Sequence, residues 1–99
     1  MSYEYEAPAA FPPLTPGALQ EIADTLRASG HTVEQRGDDI LAIQCPQRLV
    51  SGWEDATLTF KTDSVLLTVH GGTGAQRDGL VLTLESALDP LPVGDFVDI

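Results

Sequence analysis

Few side chains of this 99-residue sequence could do chemistry: one thiol, Cys45; two imidazoles, His31 and His70; and two pairs of adjacent carboxylates, Asp38-Asp39 and Glu54-Asp55. Thiol catalysis needs a base within hydrogen-bond reach and a third group that orients the base. The spacing of these residues does not bring a thiol to an imidazole, although Cys45 and His70 both fall at expected strand ends. One thiol can form neither an internal disulfide nor a zinc cluster. Pro46 biases Cys45 toward an extended backbone, so Cys45 reads as a small buried hydrophobe. Adjacent carboxylates can bind a cation, but the alternating ligands and closing bidentate Glu of a calcium loop are missing. No catalytic set, no metal and no cofactor is expected.

Two local clusters remain. His70-Gly71-Gly72-Thr73-Gly74 follows an expected strand and precedes a helix-like segment, the context in which backbone amides cradle an anion. It lacks both the Gly-Lys-Ser/Thr of a nucleotide phosphate loop and the spacing of a dinucleotide fingerprint. It therefore reads as a flexible connection. Gly52-Trp53-Glu54-Asp55 holds the only Trp beside two acids. An indole is favoured at interface centres, and flanking carboxylates suit a basic partner. The competing reading is an indole that caps a small core.

The charge sets the class of partner. Fifteen acids face five cations, giving −10 at pH 7. The balance is −4 over residues 1–26, −1 over 27–77 and −5 over 78–99. A field of this sign repels nucleic-acid phosphates and anionic membranes, and it speeds encounter with a basic protein. No apolar run is long enough to span a bilayer. No basic start followed by an apolar stretch is present, so a cytoplasmic location is expected.

The elements that must position these groups are legible in outline. Residues 1–14 form a separate compositional zone, interrupted by Pro8, Pro12 and Pro13 and expected to run extended. Tyr3-Glu4-Tyr5-Glu6 alternates at the strand period but could equally be a frayed tail. Residues 15–99 are expected to form a single domain. Within it, a helix spans about Pro16 to Ser29. Thr15 is its cap, Leu14 and Leu19 form a staple, and Gly30 is its stop. Leu19, Ile22, Ala23 and Leu26 make one apolar stripe. Four strands follow at His31 to Arg36, Ile40 to Gln44, Ala56 to Lys61 and Val65 to His70. Their short connections imply antiparallel pairing. The long connection 45–55 could hide a short strand around Arg48 to Val50. Gly79 to Leu88 fits a helix better than a strand, and the tail could dock through Phe96 and Val97.

The predicted class is therefore α+β: an N-terminal helix, a four-stranded antiparallel sheet and a C-terminal helix in a two-layer sandwich. In size, charge and coarse architecture the chain resembles small acidic bacterial binding proteins. The leading expectation is an immunity-type inhibitor that occludes a basic partner such as a toxin. Its contact residues would be Asp38, Asp39, Trp53, Glu54 and Asp55. A homodimeric secretion chaperone or adaptor is the second expectation, and a small enzyme using Cys45 with a histidine is the third.

Overall fold

A computed structural model describes residues 3–9, 16–46, 52, 54–89 and 93–99. The elements run β1 (Tyr3–Pro8), α1 (Pro16–Ala28), β2 (Thr32–Arg36), β3 (Ile40–Gln44), β4 (Ala56–Phe60), β5 (Ser64–Val69), α2 (Gly74–Leu88) and β6 (Val97–Asp98). The protein is α+β, with two helices and one six-stranded antiparallel sheet of order β2-β3-β4-β5-β1-β6. The sequence pattern predicts four strands. The two additional ones, β1 and β6, come from the chain ends.

The apolar periodicities translate directly into burial. In α1 the stripe Leu19, Ile22, Ala23 and Leu26 is buried, while Gln20, Glu21, Asp24 and Arg27 are exposed. Gly30 adopts a positive φ of 91°, which lets the His31 amide donate back to the Leu26 carbonyl at 3.1 Å and end the helix. Leu14, Thr15, Trp53 and the strand considered near Arg48 to Val50 lie outside the described residues.

Register aligns the inward side chains into rows. Leu41, Leu58, Leu67 and Tyr5 are successive cross-strand partners, and so are Ile43, Ala56, Val69 and Tyr3. These rows share one core with the buried faces of α1 and α2, including Leu80, Leu84 and Leu88. On the opposite face Thr57, Thr59, Leu66 and Thr68 are only half-buried.

Within the N-terminal segment, residues 3–9 join the sheet and place Tyr5 and Ala7 in this core. β1 sits between β5 and β6, with Ala7 fully buried and Tyr5 nearly so. Pro8 is tolerated because it closes the strand, opposite Ser64. At the other chain end Phe96 is buried and its amide donates to Glu85 Oε2 at 3.0 Å, whereas Val97 is 59% exposed. Of the two expected anchors only Phe96 buries its side chain, while Val97 docks through its backbone pairing with Glu6. Gly94 permits this return: its amide donates to the Pro8 carbonyl at 2.7 Å, and an added Cβ would stand 2.8 Å from Pro8 Cγ.

Candidate functional site: an acidic surface

Asp38 and Asp39 occupy the tight β2–β3 turn, where Gly37 takes a φ of 70°. Both are exposed, and neither carboxylate has a hydrogen bond or ion pair among the described residues. The Asp39 carbonyl accepts from the Phe60 amide at 2.8 Å, which places this turn beside the end of β4. Asp63, also exposed, lies in the next turn, between β4 and β5. Two hairpin turns at one end of the sheet therefore carry three carboxylates without an ion pair among the described residues, with Lys61 in the second turn.

Glu54 and Asp55 precede β4 at the opposite end of the sheet. β3 separates the two acid pairs by roughly 13 Å at the usual strand rise. Asp55 is fully buried, so it cannot be a surface contact as the sequence suggested. Its Oδ2 accepts from the Cys45 amide at 2.7 Å, its own amide donates to the Ile43 carbonyl at 2.8 Å, and its carbonyl accepts from the His70 amide at 2.9 Å. Asp55 is the brace that ties the end of β3 to the ends of β4 and β5. A buried carboxylate is tolerable only with such donors.

Glu54 meets Arg36 at 2.7 Å, and Arg36 also reaches Glu34 at 3.6 Å. The Glu54 carboxyl is held below its ordinary value, first by its own backbone N–H and then by the Arg36 guanidinium. Arg36 is pushed upward, chiefly by its hydrogen bond to Glu54. Glu54 is thus neutralised within the chain. Of the five expected contact residues, the structure groups Asp38 with Asp39, pairs Glu54 internally and buries Asp55. Trp53 lies outside the described residues.

The cations, which sequence reasoning treated only as a count, complete the electrostatics. Arg27 binds Asp24 at 3.3 Å and the Val33 carbonyl at 2.7 Å. Lys61 stands 3.9 Å from Glu6. Arg77 lies 3.6 Å over the Tyr3 ring and donates to the Gly72 carbonyl at 2.8 Å. With Arg36, each of the four described cations is engaged inside the chain. The surplus negative charge is left to face solvent.

The glycine-rich connection is closed by a capping box: the Gln76 amide donates to Thr73 Oγ1 at 3.2 Å, and the Thr73 amide donates to Gln76 Oε1 at 2.8 Å. An anion cradle would compete with these bonds. His70 Nε2 lies 3.3 Å from Thr57 Oγ1 on the open sheet face. His31 and Cys45 do line one cavity, but His31 Nδ1 is buried without a hydrogen-bond partner, so no third group orients that imidazole. No group of three or more metal-ligating side chains occurs among the described residues. No helix among them is long and apolar enough to cross a membrane. No family model, curated protein or solved structure matches this chain.

Proposed function

We propose that this protein is a non-catalytic binding module whose acidic surface captures a basic protein partner. The observation that carries the reading is the internal engagement of the described cations beside unpaired carboxylates at Asp38, Asp39 and Asp63. Unpaired charge on a turn costs the fold little and gains long-range attraction for an oppositely charged surface. Steered encounter followed by occlusion is the mechanism of an immunity-type inhibitor, and a toxin with a cationic active site is a partner of the right chemistry. In this reading Asp38 and Asp39 lead the contact set, Asp63 joins them, and Trp53 stays the proposed apolar anchor, while the paired Glu54 and the buried Asp55 leave it.

The test is affinity capture with the full chain from its source cell, followed by kinetics on the purified pair. A basic partner whose association rate falls steeply with added salt supports the reading. A partner of acidic or neutral surface, or a rate indifferent to salt, contradicts it. The second reading, a homodimeric chaperone or adaptor, draws on the exposed Leu82, Val97 and Ile99. Sedimentation separates the two: a stable dimer at micromolar concentration favours the adaptor, and a monomer favours the inhibitor.

A further inference from the structure

Strand register brings the chain's only thiol to one of its two imidazoles. β2 and β3 pair with Thr32 opposite Gln44. The two backbones stay opposed beyond the strand ends, because a Cβ added to Gly30 would lie 3.3 Å from Pro46 Cγ. His31 therefore stands across from Cys45. The Cys45 amide turns toward β4 and donates to Asp55 Oδ2 at 2.7 Å, just as the Ile43 carbonyl turns that way to accept from the Asp55 amide. Strand alternation thus persists to Cys45, and both side chains fall on the face of the buried Val33 and Ile43. Both line a cavity of about 500 Å³ bounded on its other side by α2. Directly opposed residues hold their Cβ atoms about 4.5–5.5 Å apart. That span accommodates one ion between a thiolate and an imidazole nitrogen, whose bonds to a d¹⁰ ion such as zinc are about 2.3 and 2.0 Å long.

Two further observations point to a metal and to its kind. His31 Nδ1 is buried and makes no hydrogen bond. An unpaired buried polar atom is uncommon in a folded protein and signals a bound ion, a water or a functional role. The donor set is also small. No group of three or more His, Cys, Asp or Glu gathers among the described residues, and residues 1–2, 10–15, 47–51, 53 and 90–92 contain none of these types. Two protein ligands leave the tetrahedral shell of zinc half-filled, and hard cations need several oxygens. Copper(I) is soft, accepts two-coordinate binding, and suits one thiolate with one imidazole. The net charge of −10 favours the approach of any cation.

We propose that Cys45 Sγ and a ring nitrogen of His31 form a two-coordinate site for copper(I). On binding, the thiol proton leaves to solvent and the neutral imidazole supplies a lone pair, so no oxidant or reductant is consumed. Asp55 positions the thiol by holding the Cys45 amide. The site lies at the other end of β3 from Asp38-Asp39 and is independent of the acidic-surface reading.

The test titrates the full chain, without oxygen, with copper(I) held by excess bicinchoninate. Wild type is expected to withdraw one copper per chain and to gain a sulfur-to-copper charge-transfer band in the ultraviolet. X-ray absorption of that complex should show one sulfur and one imidazole nitrogen. Cys45→Ser should abolish both the band and the competition. His31→Phe should weaken binding at least about tenfold, since removing a ligand costs no less than removing a group that supports one. His70→Phe, on the open sheet face beside Thr57, should leave the affinity unchanged. Failure of wild type to compete overturns the proposal. So does unchanged affinity in a folded His31→Phe variant, or a copper bridged by the sulfurs of two chains. Should His31→Phe fail to fold, the absorption spectrum of wild type decides: sulfur without nitrogen means that the imidazole is not a ligand.

Discussion

The two acid pairs look alike in sequence and differ in almost every physical respect. Asp38-Asp39 occupies a two-stranded turn, exposed and without ion pairs among the described residues. Glu54-Asp55 divides its roles: Glu54 lies on the surface against Arg36, and Asp55 lies inside the protein holding the Cys45 amide. The difference comes from what the neighbouring strands leave unsatisfied. A tight turn needs no outside acceptor for its amides. The end of β3, where the chain leaves the sheet, presents the Cys45 N–H to the interior, and Asp55 is the acceptor it meets. One pair stays exposed on its turn, and the other serves the fold.

Breaking the contrast at its strongest point, Asp55→Ala should cost about 3 kcal/mol, because it strands a buried amide and opens a space among three strand ends. Urea unfolding would read this as a lowered midpoint with an unchanged slope. A loss below 1 kcal/mol would make Asp55 as dispensable as the turn acids.

Glu54→Gln tests the intermediate case. A partly exposed ion pair contributes less than the buried Asp55 contact. The sign with pH follows from the depressed folded pKa. The stabilisation is complete above the ordinary value of 4.5 and is lost as pH falls through the lower folded value. Wild type should therefore exceed Glu54→Gln in stability at neutral pH, and the gap should close in acid. A gap that widens in acid would refute the Arg36–Glu54 assignment.

The smallest effect belongs to the turn. Asp38→Asn with Asp39→Asn should change stability by no more than about 0.5 kcal/mol in either direction, measured in the same urea titration. A large loss would mean that these carboxylates hold the β2–β3 turn and are not free for recognition.

The contrast also marks where sequence reasoning succeeds. The α1 stripe, the Gly30 stop and the β3 boundaries follow from local periodicity and turn chemistry, and the structure shows them at or within a residue of expectation. β1 is different. Its partner residues lie more than fifty positions away, as in Tyr3 opposite Val69, so its local alternation could not say whether it pairs or frays. β6 is two residues long and owes its place to the Phe96 anchor. Asp55 failed for a related reason. Charge and loop position suggest exposure, and only the approach of β3 to β4 shows that a backbone donor waits for it. The open Asp38-Asp39 turn was legible because its glycine and its hairpin length lie within the turn itself, although the Phe60 amide that meets the Asp39 carbonyl does not.

The central claim is that the unpaired anions form a coherent patch at the hairpin end of the sheet. The most direct measurement is an amide chemical-shift titration of the full chain with a short oligo-arginine peptide at low salt. The account predicts saturable, salt-sensitive shifts concentrated at residues 37–39 and 61–63, with the helices and the Glu54 end little changed. Shifts scattered evenly over every acidic residue, or confined to α1 and α2, would contradict it.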